Sequence, residues 1–487
     1  MVLSKIVGPV AALLALVAGT GAPPLAEAPT SWFVQAGATG DGTNVEHPTG
    51  SLESIERRSA AGDRIVVLPS DAVLDGGIAL KAGQRLVGLV RAGRKPVITN
   101  SDSTRHLGCG VLVANGSVVS NVRIEGTVAS GIYGRNASGV RIDSVDVRGA
   151  NRGQSFIEAT FPTLPGRVPH GAMVFVHADA VAEVTVTAST VTETAGLGIA
   201  SIASGVAHTR LSIRHTRVEG GTRIGFYDMG IAALVKDHTA TTRLEIFDAQ
   251  VKGRLSRSGR NVMIAASGGG RADARIDRIH SGATGQDGIV GAVMQSPSEI
   301  TIHISDSVVE DAGQMNVEGS LINLPPEAGT RANAARVSIE IARTIIRHAG
   351  AVPGFEDVAA NVWMGGSQFI EKGPPAMGRY RLRITDSRID SAGRAGLEFG
   401  SKRITAAGLT EVSAFDVVVR GSTIEKNGEA DVKLVARGVR IDARRNCWGH
   451  PAGLAEDRVM VFAPAERSQL DATEPRACET GSRGQRR

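Results

Sequence analysis

From about residue 180 onward, one short phrase of apolar and polar positions returns along the chain. A segment alternates apolar and polar residues, ends in a small polar residue, turns, and is followed by a second apolar segment that opens after Gly, Asn or Asp. The copies are Leu211-Ser-Ile213, Leu244-Glu-Ile246, Ala274-Arg-Ile276, Ile302-His-Ile304, Ile339-Glu-Ile341, Leu382-Arg-Ile384 and Phe415-Asp-Val417. Period-two alternation predicts strands with one buried face. Equivalent Ile positions are 33, 30, 28, 37 and 43 residues apart. Hairpin meanders repeat at shorter intervals through tight Asn-Gly or Asp-Gly turns, and β/α repeats need amphipathic helices, none of which is visible. Coils of several short strands, with loops of variable length at one corner, satisfy the pattern. The expected fold is therefore all-β, a right-handed parallel β-helix (a solenoid) closed at its N-terminal end by a short helix over Ser51 to Ala60.

Aligned coils give columns that test this expectation. Two residues after each reference Ile stand His215, Asp248, Arg278, Asp306, Arg343 and Asp386, largely alternating in charge. Coils in parallel register lie about 4.8 Å apart, so such a column forms an exposed charge ladder. Calcium would need acids gathered together, and here basic residues separate them. A second column, Asn261, Asp287, Asn316, Asn361, Gly396 and Asp431, opens the later strand, where Asn and Asp suit tight turns and stack through their amides.

Composition narrows the class. Hydrophobic residues make up 42% but aromatic residues only 3%, with 60 glycines, which suits a narrow core of small aliphatic side chains and many turns. The N-terminus, with Lys5, the apolar run Ile6 to Val17 and small residues after it, reads as an export signal over residues 1–28, too short for a stable membrane span. Secretion or periplasmic residence follows. Of three cysteines, Cys447 and Cys478 are placed to pair in an oxidising compartment, whereas Cys109 reads as a buried small hydrophobe. The net charge of +5 suits acidic polysaccharide. Basic residues interleaved with acids, and few aromatic platforms, argue against nucleic acid.

At this point the chain resembles the pectate-lyase-like superfamily of right-handed parallel β-helices. The likeness rests on Phe33-Val34-Gln35-Ala36-Gly37, Gly40-Asp41-Gly42-Thr43, Ala61-Gly62-Asp63-Arg64-Ile65-Val66-Val67 and Asn446-Cys447-Trp448-Gly449. It implies an N-terminal cap and first coils over 29–110, coils over 111–450, and a C-terminal cap and tail over 451–487, with Trp448 packed over a closing coil. The superfamily's catalytic motifs do not carry over. Arg167-Val168-Pro169-His170 lacks the second Arg of a calcium pectate lyase segment, and Gln286-Asp287-Gly288 stands without the motifs of a polygalacturonase. No cofactor or metal is indicated.

Three places remain for chemistry. A third column, two residues beyond the Asn/Asp column, holds Met263, Ile289, Glu318, Trp363, Glu398 and Lys433, and alternation turns it outward. Trp363 would then be a sugar platform between the carboxylates Glu318 and Glu398. The irregular segment Asn151 to His170 offers Arg152 and Arg167 for uronic carboxylates and His170 as a base. Arg347 and His348, with Glu356 and Asp357, form a third group. The sequence supports engagement of extracellular or envelope polysaccharide and leaves open a lyase, a hydrolase or a noncatalytic binding or structural protein; it does not fix the oligomeric state.

Overall fold

A computed structural model describes residues 29–159, 167–294, 297–322, 335–350, 359–367, 378–400, 413–450, 452–462 and 468–478. The proposed export signal, and Glu356 and Asp357, lie outside these residues.

Each repeat wraps once around a common core. Gly171–His177 lies in one sheet, Val181–Thr187 and Thr190–Thr192 in the other, and Leu197–Ala203 returns in parallel register upon Gly171–His177. Among the described residues the first sheet has 13 strands, from Ile78–Ala79 to Val459–Val461, and the second has 24. All strand pairs in both are parallel, as expected for a parallel β-helix. The reference residues Ile213, Ile246, Ile276, Ile304, Ile341 and Ile384 stack in one buried column. The next coil enters two residues later than its sequence suggests, so that Val419 rather than Val417 meets Ile384.

The ends are closed. Ser51 accepts a hydrogen bond from the Ser54 amide at 3.1 Å and starts the helix Leu52–Arg58, whose Leu52 and Ile55 are buried in the core. At the other end Trp448 packs into the same core, and Cys447 is bridged to Cys478 with a Cα separation of 5.0 Å. Coil strands continue past residue 450, with Val459–Val461 on Val432–Leu434 and Gln469–Asp471 on Arg440–Asp442. Cys109 is buried and unbridged.

The charge ladder proves to be a turn column. His215, Asp248, Arg278, Asp306, Arg343 and Asp386 all have positive φ, between 49° and 52°. Arg278 reaches Asp248 at 2.6 Å and Arg343 reaches Asp306 at 2.6 Å. Such exposed pairs contribute about 0–1 kcal/mol each, so they set the register more than the stability.

The Asn column is buried and corrects the sequence alignment twice. Asn316 donates to Asn361 at 2.8 Å, Asn361 to Asn427 at 3.3 Å, and Asn427 to Asp431 at 2.8 Å. Asn427 therefore fills the slot that Gly396 leaves: a Cβ on Gly396 would lie 2.7 Å from the Asn427 amide. Asp287 is not in this column. Val262 pairs with Ile289, and Ile289 with Val317, so Gly288 stands opposite Asn261 and Asn316, and a Cβ there would meet the Asn316 carbonyl at 2.5 Å. Asn361→Ala should cost about 2–3 kcal/mol, because it strands the buried Asp390 carbonyl and two neighbouring amides. An unchanged urea midpoint would show that the amide stack carries no stability.

Candidate functional site

At the Asn column the backbone turns its side chain inward, so residues one before it and two after it both project from the outer face of the 13-strand sheet. Their apolar members show this. Leu197, Met229, Ala232, Met263 and Val290 form a cluster separate from the main core, and Met315, Ala360, Trp363 and Ala395 form another. Two outer columns result. One runs Leu197, Met229, Arg260, Asp287, Met315, Ala360 and Ala395. Its neighbour runs Met263, Val290, Glu318, Trp363, Glu398 and Lys433, with Val290 where the sequence alignment set Ile289, which is a core residue.

Glu318, Trp363 and Glu398 thus occupy three successive coils on the outer face, as expected, but Trp363 and Glu398 are covered and Glu318 keeps only an edge in solvent. Trp363 is only 5% exposed, lies against Met315, Ala360 and Ala395, and donates Nε1–H to the Gly400 carbonyl at 3.0 Å. It is packing, not an open platform. Glu398 faces Lys433, whose Nζ lies 3.1 Å away, and both are buried. Burial raises the Glu398 pKa, and Lys433 opposes that rise. This carboxylate is committed to an ion pair rather than partnered with Glu318.

The partner of Glu318 is Asp287, on the preceding coil. Asp287 is fully buried, and neither carboxyl oxygen meets a donor in full hydrogen-bond geometry among the described residues, although the Glu318 carboxyl and the Met315 amide are close enough to act on it. Arg260 Nε lies 3.2 Å from Asp287 Oδ2, off line for a hydrogen bond. Burial pushes the Asp287 carboxyl well above the usual carboxylate range, the Glu318 carboxyl pushes it further, and Arg260 opposes. That direction favours the protonated form of Asp287 beside the Glu318 carboxyl, and groups with opposed environments are what an acid–base pair needs. Glu318, at 7% exposure, is the member nearer solvent.

Of the Asn151–His170 segment, residues 151–159 and 167–170 are described, and they lie at the other end of the same face. Ile157 N–H donates to the Val168 carbonyl at 2.9 Å, Val168 N–H donates to the Ala159 carbonyl at 3.2 Å, and Ile157 and Val168 belong to the outer apolar cluster. His170 is buried, with Nδ1 2.8 Å from Ser130 Oγ and its ring edge-on to Tyr133. Arg152 and Arg167 are exposed. Register puts His170 about four coils from Asp287 and five from Glu318, roughly 19 and 24 Å along the axis, so these candidates do not converge. Arg347 and His348 lie at a different corner, against Glu310 and Asp311.

Burial pushes His170 down to about 4, and His177, whose ring nitrogens have no partner among the described residues, also to about 4. His170 is therefore neutral at pH 7 and ill matched to a base working there. Both folded values lie below the unfolded value of about 6.5, so their contribution to stability is full above about pH 6.5 and is lost as pH falls toward 4. Urea unfolding at pH 7.5, 6.5 and 5.5 should show this decline, blunted in His177→Leu; an equal slope in that variant would contradict it.

Sequence reasoning missed Asp287, Arg260 and a buried ion pair between Arg254 and Asp228. Gly288 was the available signal: it holds the place of an asparagine between Asn261 and Asn316, directly before the core residue Ile289.

No protein-family model matches the chain, and no curated protein matches it. Among solved structures it is similar to the periplasmic alginate epimerase AlgG, at 10% identity and TM-score 0.42 over 85% of this chain and 83% of that one. It is also similar to pectate lyase Pel9A, at 9% identity and TM-score 0.33 over 92% and 82%. A third similarity is to the catalytic domain of a GH87 α-1,3-glucanase, at 13% identity and TM-score 0.36 over 93% and 70%. These likenesses are of coil architecture, which the strand register above establishes by itself.

Proposed function

We propose that this protein acts on polysaccharide, with Glu318 as the group that meets the sugar and Asp287 as the buried acid that controls its proton. One observation carries the reading. Asp287 is a fully buried carboxyl with no donor in full hydrogen-bond geometry among the described residues, beside a second carboxyl and bordered by the outer apolar cluster. Such an arrangement weakens the fold, and strongly perturbed groups of this kind concentrate at reactive centres. The chemistry it suits is proton transfer at a glycosidic linkage, by elimination or hydrolysis. On this reading Arg152 and Arg167, exposed near His170, would meet uronic carboxylates only on a chain long enough to span the roughly 24 Å to Glu318. The Cys447–Cys478 bridge supports export to an oxidising compartment, periplasmic or extracellular. No helix among the described residues is long and apolar enough to cross a membrane.

A second reading, binding without turnover, is favoured by one feature. Arg379, Arg381 and Arg383 project from a single strand, and Arg336 lies in register with Arg379. One assay separates the two. On a panel of acidic and neutral glycans, the first predicts new unsaturated or reducing ends that vanish in Glu318→Gln. Retention without product, lost in Arg379→Glu, would establish the second. Silence across the panel would overturn both.

A further inference from the structure

Away from the outer strip, Glu310, Asp311 and His348 each bring one possible ligand atom to within 4.8 Å of the others. Glu310 ends the strand Val308–Glu310, and Arg347 ends Ile345–Arg347 on the next coil; the two are in register, so Asp311 and His348 follow as neighbours in the turn. Their backbones share the left-handed conformation, φ 60° and 61°, which aims both side chains the same way. His348 Nδ1 lies 3.2 Å from Asp311 Oδ1. Ligand atoms about 2.0–2.2 Å from a tetrahedral zinc ion stand roughly 3.3–3.6 Å apart, so this pair, joined by a hydrogen bond at 3.2 Å, needs to open only slightly to take the ion.

The donor set selects the metal class. One imidazole with two carboxylates suits zinc and related transition ions, whereas calcium prefers six to eight oxygens. Three protein ligands leave a fourth position for water. Glu310 is also held in place from behind. His280 Nε2 lies 2.9 Å from Oε1, and both Nε and Nη2 of Arg347 lie 2.7 Å from Oε2, which fixes the carboxylate and leaves Oε1 a lone pair for a metal.

We infer that Glu310, Asp311 and His348 form a zinc-type site on the corner of the helix, independent of the Asp287–Glu318 strip. Untagged protein stripped with a chelator and titrated with Zn²⁺ should take up one equivalent, and Co²⁺ should give the visible absorption of a tetrahedral nitrogen–oxygen site. Asp311→Asn and His348→Gln should each weaken Zn²⁺ binding at least tenfold and abolish the Co²⁺ signal. Both side chains are exposed enough for these variants to keep the far-ultraviolet circular dichroism of the parent. No uptake, or uptake unchanged in both variants, would overturn the assignment. So would displacement of Zn²⁺ by an equal concentration of Ca²⁺, since that would mean the imidazole is not a ligand.

Discussion

Asp228→Ala should destabilise the protein by about 3–5 kcal/mol, because it leaves Arg254 charged and alone in the interior. Both side chains are fully buried, with Arg254 Nη1 3.3 Å from Asp228 Oδ1 and Nη2 3.2 Å from Thr194 Oγ1. Burial pushes the guanidinium pKa down, and the Asp228 carboxylate opposes that shift. The space Arg254 occupies is cut by glycines. A Cβ on Gly221 would lie 2.0 Å from Nη1, and one on Gly198 would lie 2.8 Å from Nη2. Gly198 and Gly230 stand in register with Asn261, so Arg254 fills an early rung of the column that asparagines fill later. The pair is held by geometry rather than by net attraction, and that can be tested. Asp228→Leu combined with Arg254→Met should recover most of the loss seen in Asp228→Ala, because two apolar groups leave no charge unmatched. Thermal and urea unfolding of the single and double variants decide it. If the double variant is as unstable as the single, the ion pair itself holds this corner together.

The fold was legible because a solenoid writes its register into the chain. Alternation gave the strands, and the column His215 to Asp386, read as an exposed charge ladder, gave the register, although its place in a recurring turn of positive φ showed only in the structure. The candidate site was only partly legible, for two physical reasons. First, a coil with one fewer residue before its strand shifts everything after it, and Asp287 was taken for a rung of the Asn column where Gly288 stands. The error concealed the one carboxyl that meets Glu318. Second, alternation tells which way a side chain points but not what lies over it. Trp363, Glu398 and Lys433 do project from the outer face, yet each is at most 5% exposed. Asn427 was missed because it replaces a rung from a different turn, thirty-one residues after Gly396 in sequence and adjacent to it in space.

Glu318→Gln should lower turnover by about 10²–10⁴-fold, the usual contribution of a positioned proton-transfer group. Asp287→Asn should behave differently, and the difference identifies its role. Its folded pKa is raised above the unfolded value of about 3.9, so the stability it contributes is present below that value and lost as pH rises through the folded one. At neutral pH the wild-type protein carries that loss, and Asp287→Asn removes it. The variant should therefore unfold at the same or a higher temperature than the parent at pH 7–8, with the gap closing as pH falls to about 4. Its activity should fall, and the limb of the pH–rate profile that follows Asp287 should disappear, while Glu318→Gln loses rate at every pH. Stabilisation together with lost activity is what a residue kept for chemistry gives, since the fold is better off without it. Arg260 supplies the contrary outcome: if it leans on an ionised Asp287 for its own charge, the variant will unfold earlier at neutral pH, and Asp287 will then belong to the scaffold rather than to the reaction.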